Sequence, residues 1–320
     1  MARRHNTILH DRVALAAGAV PLDKDLPINP ISFLTIVLKL INDGVATVPT
    51  MANILGVLSN VEVLLDGRSL VQGSLPDLAA MTQALWGVGP TLQPITGVDD
   101  QVIHCAVHIP FGRQAWMQNE ALPTTRKGDL TLRLTPAAAF TGVQTLLLTV
   151  EVRQILDVAP ERFLKYVTST KTPTATGPHE VDLLTGPDYV GTLFYGTTKP
   201  HTNSQLASIG KLKLKIDDVE QMIPETRFEA LFAEWQTKWQ LAEDVRQHVH
   251  VVAGQAASYI DNMYAHYLYV DFDPMKDLTY RLITRGRSRC HYVITADVAD
   301  AIRFLPVEVV GLTTEAGAPA

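Results

Sequence analysis

The sequence predicts a mainly β protein that consists of two similar domains in tandem. The length of 320 residues favours two domains, because a single domain usually contains about 100–200 residues. Apolar and polar residues alternate with a period of two along much of the chain, as in Leu34 to Leu40. This alternation is typical of strands that bury one face. Two stretches show a clear helical period, so we predict that strands outnumber helices.

The predicted strands are rich in Val, Leu, Thr and Tyr, and they are separated by Gly, Pro, Asn and Asp, as is typical of short strands and turns. In the first half, the alternation predicts strands at Leu34–Leu40, Val61–Leu65, Asp100–Pro110, Leu130–Leu134 and Gln144–Ile155. In the second half, it predicts strands at Leu212–Ile216, Tyr259–Phe272 and Tyr292–Thr295.

A first helix is predicted from about Ser74 to Trp86. Ser74 can cap its N-terminus, Pro76 suits its first turn, and Asp77 completes a spacing like that of a capping box. Its apolar stripe consists of Leu78, Met81, Leu85 and Trp86.

A second helix is predicted from about Thr226 to about His248, where Thr226 and Glu229 again have capping-box spacing. Its apolar stripe consists of Phe228, Leu231, Phe232, Trp235 and Trp239. Trp239 extends this stripe beyond what one domain would cover. We therefore consider it a candidate subunit-interface residue, because Trp is enriched among the residues that dominate binding energies.

Both halves contain a strand, an acidic turn, a proline and an aromatic-bearing helix in the same order. The two strands begin at Val61 and Leu212, 151 residues apart, and the helices carry Trp86 and Trp235, 149 residues apart. Such a run of ordered features at a nearly constant offset indicates an internal duplication.

The similarity continues downstream of the two helices. The next strand ends at Phe111 in the first half, and the chain reaches the following strand 19 residues later, at Leu130. In the second half the corresponding positions are Phe272 and, 20 residues later, Tyr292. We interpret this as tandem duplication of a β domain, with domains 1–158 and 159–320. Two unrelated sandwiches, or one large sandwich, are the alternatives.

The composition argues against a general nucleic-acid-binding role. Lys and Arg number 27, Asp and Glu number 33, and the formal net charge is -6, whereas nucleic-acid-binding domains usually have a basic face. Charged residues make up only 19%, below the roughly 25% usual for soluble domains. This low charge suggests that copies of the chain cover much of its surface.

The remaining composition indicates a protein of a reducing compartment. Cys105 and Cys290 lie far apart without metal-type spacing, so we expect free thiols, with a disulfide as the alternative. We expect no signal peptide after Met1. The longest apolar stretch, Ile31–Ile41, is too short for a membrane-spanning helix, which needs about 20 residues.

Residue patterns for catalysis, cofactors and metals are weak. His104 and His108 share a face of one predicted strand but lie about 13 Å apart, too far for one metal ion. No Gly-rich phosphate loop and no nucleophile elbow occurs. We therefore expect no catalytic site, no cofactor and no metal, although two carboxylates of a glycosidase could be hidden among the acidic strand ends.

Two basic clusters are candidates for contact with an anionic surface. Arg3, Arg4 and His5 form a short N-terminal arm, and a loop of the second half carries Arg285, Arg287 and Arg289 around a glycine. Phospholipid head groups or an acidic neighbouring subunit could provide that surface. The alternative is a solvated terminus and a solvated loop.

In its architecture, the chain resembles the double jelly-roll major capsid proteins of the adenovirus–tectivirus–corticovirus lineage, in particular their small, phage-type members. The resemblance rests on Phe33–Ile41, on Val61–Leu65 with its helix to Trp86, on Asp100–Phe111 with its loop to Leu130, and on the matching features of the second half. It covers nearly the whole chain, but no short invariant motif supports it.

The resemblance implies a structural protein and not an enzyme. Each half would be an eight-stranded jelly roll with a flanking helix. Three chains would form a pseudo-hexagonal homotrimer, and many trimers would tile an icosahedral virion capsid over an internal membrane. The partners would be the chain itself, neighbouring trimers, penton or minor capsid proteins, and lipid or proteins of the membrane, with no specific nucleic acid. Assembly would take place in the host cytoplasm.

The resemblance also suggests where the candidate residues lie. The loops Phe111–Lys127 and Phe272–Arg289 would lie on the outer, host-facing side of the shell. They carry the outer-loop candidates Arg113, Trp116, Arg126, Arg285, Arg287 and Arg289. The N-terminal arm, with Arg3, Arg4 and His5, would lie at the base near the membrane.

Two other functions remain possible on the sequence alone. The first is a two-domain β-sandwich protein that binds or hydrolyses glycans, which we would expect to be secreted and to contain disulfides or calcium-binding Asp runs. The second is a different structural part of a phage, such as a penton, spike or tail component.

Overall fold

The computed structural model describes residues 2–43, 49–92, 100–199, 206–221, 223–239, 249–250, 259–260 and 263–312, and at 237–239, 249–250 and 259–260 it describes the main chain only. The described chain divides into two compact units. One unit contains the chain up to Lys165, and the other runs from Tyr166 to Val310, apart from residues 241–262.

The first unit is a sandwich of two antiparallel sheets. Its strands are β1 (Arg3–Ala14), β2 (Leu22–Asp25), β3 (Ile31–Asn42), β4 (Leu58–Leu65), β5 (Arg68–Gly73), β6 (Thr91–Leu92), β7 (Val102–Pro110), β8 (Leu130–Pro136) and β9 (Val143–Leu156), and its helices are α1 (Met51–Leu55) and α2 (Leu75–Trp86). One sheet has the order β1-β9-β3-β7-β6, and the strands β5-β4-β8-β2 lie side by side in the other. Strand β10 (Arg162–Val167) spans the boundary between the units.

The second unit is also a sandwich. Its elements are β11 (Ser169–Lys171), β12 (Gly177–Leu183), β13 (Asp188–Gly196), β14 (Lys211–Ile216), β15 (Val219–Glu220), β16 (Thr226–Arg227), α3 (Phe228–Trp239), a 3-10 helix (Met263–His266), β19 (Tyr267–Asp271), β20 (Leu282–Ile283), β21 (Cys290–Ala296) and β22 (Ile302–Gly311). Strands β17 (Val249–His250) and β18 (Tyr259–Ile260) belong to the first unit and form a separate pair. The strand orders are β19-β13-β22 and β12-β21-β14-β15.

The two units have the same strand order. The strands β7-β3-β9 and β2-β8-β4-β5 of the first unit correspond in sequence order and in sheet position to β19-β13-β22 and β12-β21-β14-β15 of the second. A helix lies between the fourth and fifth corresponding strands of each unit, α2 in the first and α3 in the second. This confirms the predicted fold class of two tandem jelly rolls, which we call the first roll and the second roll.

Main-chain hydrogen bonds occur at corresponding positions in the two rolls. After β4, Asp66 donates its N–H to the carbonyl of Asp129, at 2.8 Å. After β14, Asp217 donates to the carbonyl of Arg289, at 2.9 Å. Each acceptor immediately precedes one of a pair of corresponding strands, β8 in the first unit and β21 in the second. The duplication therefore extends from strand order to individual turns.

The first predicted helix is confirmed as α2. Ser74 caps it by accepting a hydrogen bond from the N–H of Asp77, and Gly87 ends it with a left-handed φ of 74°. Burial extends beyond the predicted stripe, because Ala79 and Ala84 on other faces are also buried. The sequence does not predict the short helix α1, which Thr50 caps.

The predicted start of the second helix is wrong. Thr226 does not cap α3; it lies in β16, which pairs with β14, and its hydroxyl donates to the carbonyl of Pro224 at 2.7 Å. The helix begins at Phe228, because Thr226 and Arg227 form a short strand that pairs with β14. The predicted end near His248 lies outside the described residues. So does the side chain of Trp239, the interface candidate at the end of α3.

The predicted strand Tyr259–Phe272 is shorter than expected. A 3-10 helix at Met263–His266 precedes β19, and only Tyr267–Asp271 pairs with β13. Within the 3-10 helix, Tyr264 is fully buried, and its ring lies 5.9 Å from the ring of Trp235 on α3. We attribute the interruption to this packing, which period-two alternation does not reveal.

No helix in the described part of the chain is both long and apolar enough to span a lipid bilayer.

Candidate functional site: the loop ends of the two rolls

The N-terminal basic residues belong to the sheet of the first roll. Arg3, Arg4 and His5 lie in β1, where they pair with Leu156, Ile155 and Gln154 of β9. They therefore form part of a strand and not a separate arm. Their side chains are exposed on the roll.

An exposed ion pair ties the start of β1 to the end of β9. The Arg3 Nε atom donates to Asp157 Oδ2 at 2.8 Å. This hydrogen bond, together with the charge of Arg3, lowers the pKa of the Asp157 carboxyl. Because both side chains are at least half exposed, the pair contributes little to stability.

Arg4 contacts the loop that follows β7. Its guanidinium lies 4.6 Å from the centre of the Trp116 ring, a cation–π geometry. The N–H of Trp116 donates to Ser32 Oγ at 2.9 Å, next to the start of β3. The N-terminal residues and this loop therefore share one end of the first roll.

This contact corrects the predicted placement. The resemblance puts Arg4 at the base of the shell and Trp116 on its outer side, yet the two side chains touch. For a roll that stands upright in a shell, as the resemblance implies, the two placements exclude each other, because one end of the roll would face one side only. The error arises from treating the N-terminus as an arm that is independent of the sheet.

An aromatic cluster fixes Trp116 and the end of β7. The Phe33 ring lies 5.2 Å from Trp116, 5.2 Å from Trp86 and 5.3 Å from His108, in edge-to-face geometry. His108 Nδ1 lies 3.1 Å from Thr35 Oγ1. Burial lowers the pKa of His108, and the positive charge of a nearby arginine lowers it further. His108 is therefore a packing residue.

Arg113, predicted as an outer-loop residue, is buried. Its guanidinium forms a bidentate ion pair with Glu120, in which Nε lies 2.9 Å from Oε1 and 3.0 Å from Oε2. Arg162 Nε lies 3.2 Å from Glu120 Oε1. Arg113 is 4% and Glu120 1% exposed, so these two side chains close the loop and are not available to a partner. Sequence reasoning missed Glu120 and Arg162, because no local pattern marks them.

Arg126, an outer-loop candidate, is exposed. It lies in a turn in which its N–H donates to Asp129 Oδ2 at 3.0 Å. Its side chain has no hydrogen bond or ion pair in the part of the chain that the structure describes. It is therefore available for a contact with another molecule.

The three arginines in the second roll's loop differ in their surroundings. Arg289 pairs with Asp182 and Glu180, at 2.9 and 2.8 Å, and its hydrogen bond lowers the pKa of the Glu180 carboxyl. Arg287 lies 3.5 Å from Asp217. Arg285 is exposed and has no ion pair among the described residues. Of the predicted cluster, Arg285 is thus the residue best placed to contact an anionic partner.

The two cysteines are buried, free thiols, one in each roll. Burial raises the pKa of Cys105 to about 12 and that of Cys290 to about 11. Both thiols are therefore protonated at neutral pH, and the disulfide considered from the sequence does not form. Within the described ranges, no group of three His, Cys, Asp or Glu side chains is arranged to hold a metal ion.

Comparison with known proteins identifies the fold. No protein-family model matches this chain, and no curated protein matches it. Among solved structures, the chain is similar to the major capsid protein of Sulfolobus turreted icosahedral virus, with a TM-score of 0.69 and 16% identity over 99% of this chain and 100% of that one.

Two further solved structures lead to the same fold. The major capsid protein of bacteriophage PM2 matches with a TM-score of 0.63 and 14% identity, over 98% of this chain and 99% of that one. The capsid of the virus PBCV-1 matches with a TM-score of 0.61 and 9% identity, over 97% of this chain and 94% of that one. The chain therefore has the double jelly-roll fold of these major capsid proteins along its whole length.

Proposed function

We propose that this double jelly-roll chain is a major capsid protein, a structural and non-enzymatic component of a virion. The observation that carries the proposal is the match to two viral major capsid proteins, which covers nearly all of this chain and nearly all of each of theirs. Because the match extends over nearly all of both chains, the similarity includes both rolls and is not limited to a single β-sandwich domain. The low charge content of 19% agrees with a surface that copies of the chain cover.

We further propose that three chains form a trimer with a pseudo-hexagonal outline. Each chain contributes two rolls of the same strand order, so three chains supply six similar units around a ring. Closed rotational symmetry is the usual arrangement of soluble homo-oligomers. Trimers of this shape would tile an icosahedral shell, with penton or minor capsid proteins at other positions.

The remaining features follow from the same proposal. The shell would enclose an internal membrane, as the lineage implies, and the chain would assemble in the host cytoplasm without specific nucleic acid. The bacteriophage PM2 protein among the similar structures makes a phage a reasonable source. The exposed Arg126 and Arg285 are the contact residues that we retain from the predicted loops.

Electron microscopy of the purified protein tests this function. We expect single particles with three-fold symmetry and a six-lobed outline, and ordered sheets or shells at high protein concentration. Particles of two lobes that never associate would contradict the proposal.

A further inference from the structure

A cavity of about 270 Å³ opens beside α3 in the second roll. Its walls come from the loop before α3, from α3 itself and from the end of β19. At about 30 Å³ per water molecule, this volume corresponds to about nine waters. The cavity therefore has room for one long side chain and is too small for a folded segment.

Aromatic rings and carboxylates line part of this cavity, and Ile223, Pro224, Leu231 and Val270 supply apolar surface beside them. The rings are those of Trp235 and Tyr269, which are 3% and 6% exposed, and the carboxylates are those of Glu234 and Asp271. Aromatic faces attract cations, and carboxylates form charge-assisted hydrogen bonds with them. Burial and the neighbouring Asp271 carboxylate raise the pKa of Tyr269, so its ring remains neutral at physiological pH. The lining thus favours an organic cation over an anion or a purely apolar group.

The two carboxylates at the cavity differ in their surroundings, because Asp271 accepts a hydrogen bond from the N–H of Asp273 at 2.8 Å, whereas Glu234 remains available. Glu234 is exposed and has no ion pair among the described side chains. The corresponding helix of the first roll, α2, is buried on nearly all sides, whereas α3 also exposes Glu229 and Ala233. The helix of the second roll therefore presents a face that the described residues of this chain do not cover.

We propose that this cavity binds an arginine side chain from a second copy of the chain. Arginine fits better than lysine, because its planar guanidinium stacks on aromatic faces and pairs with carboxylates in a fixed geometry. The same chain offers exposed arginines that lack ion pairs within the described ranges, namely Arg4, Arg12, Arg68, Arg126, Arg227 and Arg285. The identity of the occupant rests on the proposed self-assembly, whereas the cation specificity of the cavity rests on its lining alone.

Fluorine NMR tests the specificity of the cavity directly. The full-length protein is labelled with 5-fluorotryptophan, and the signals of its 4 tryptophans are assigned with single Trp→Phe variants. The probe is Nα-acetyl-arginine methylamide, and the matched control is Nα-acetyl-citrulline methylamide, which has the same shape without the charge. We expect a saturable shift of the Trp235 signal with the arginine compound only.

Two variants on the same helix sharpen this test. Glu234→Gln should raise the dissociation constant of the arginine compound about threefold, the effect expected for losing one exposed ion pair. Glu229→Gln, which also removes a carboxylate from α3 but does not line the cavity, should leave it unchanged. Equal binding of the citrulline compound, or no shift with either compound, would overturn the proposal.

A double-mutant cycle on association identifies the occupant. Each of the six exposed arginines is replaced by Gln in turn. One of these substitutions should weaken association between copies as much as Glu234→Gln does, and the variant that combines it with Glu234→Gln should associate no more weakly. If the probe binds but none of these variants alters association, the cavity takes a small cation and the proposed occupant is wrong. If the protein never self-associates, the proposed function fails, while the NMR titration still decides the specificity of the cavity.

Discussion

Replacing Glu120 by Gln should lower the free energy of unfolding of the first roll by about 3–5 kcal/mol. Glu120 is 1% exposed and is the anionic partner of Arg113 and Arg162. The substitution leaves the guanidinium of Arg113 buried without a counter-charge. The free energy that this charge loses when it leaves water is then no longer offset by attraction to a carboxylate. Urea denaturation followed by circular dichroism measures the loss.

An exposed ion pair provides the control for this prediction. Arg133 Nε lies 2.8 Å from Asp23 Oδ1, and both side chains are more than 40% exposed. Asp23→Asn should therefore cost less than about 1 kcal/mol. A second control is the double variant Arg113→Met, Glu120→Leu, which replaces the buried pair by apolar side chains. Its free energy of unfolding should be higher than that of Glu120→Gln, because neither side chain of the pair then carries a buried charge. A cost of Glu120→Gln similar to that of Asp23→Asn would contradict the structural role of the triad.

The same substitution should loosen the loop that carries Trp116. The loop is held by the ion triad and by main-chain bonds, such as the one from the N–H of Ala121 to the carbonyl of Arg162 at 3.1 Å. Without Glu120, fewer contacts fix the loop against β10, so Trp116 should become more accessible to a quencher such as acrylamide.

Raising the pH from 8 to 10 should destabilise the protein by about 3 kcal/mol through its two buried thiols. Cys105 and Cys290 have pKa values of about 12 and 11 in the folded protein, whereas an unfolded thiol ionises near pH 8.5–9. Because the thiol pKa is higher in the folded than in the unfolded protein, the free energy of unfolding is unaffected by the thiols below the unfolded pKa. It decreases as the pH rises from the unfolded pKa towards the folded pKa. Between these two pKa values the thiols ionise in the unfolded chain and stay protonated in the folded chain, so ionisation stabilises the unfolded state only.

The variant Cys105→Ala, Cys290→Ala isolates this effect. It removes both thiols, so its free energy of unfolding should change much less between pH 8 and pH 10. Above pH 10 both proteins should lose stability, because burial also raises the pKa of Tyr166 and other tyrosines well above the usual value. An equal loss in both proteins between pH 8 and pH 10 would show that the thiols are not buried as the structure describes.

Features that depend on neighbouring residues could be predicted from the sequence. The helix α2, with its Ser74 cap, follows from local spacing. The duplication is also visible, because Val61 and Leu212 begin corresponding parts of β4 and β14, and Phe111 and Phe272 follow corresponding strands. Strand alternation and turn chemistry are local properties, and they predict a mainly β chain with two similar halves. The jelly-roll topology of each half is what the resemblance to the capsid proteins implies.

Features that depend on partners distant along the chain could not be predicted. Thr226 has the spacing of a helix cap, yet its pairing with Leu212 draws it into a strand. Arg113 looks like an exposed loop residue, and only the folded loop brings Glu120 against it. The contact of Arg4 with Trp116 joins residues 112 positions apart, and no periodicity reveals it. The candidate contact residues were therefore predicted less well than the fold.

The mass of the purified full-length protein in solution tests the central claim most directly. Multi-angle light scattering should give a stable trimer of about 105 kDa, since each chain contributes 35.1 kDa. A stable monomer of one chain's mass, with affinity for glycans, would contradict the account.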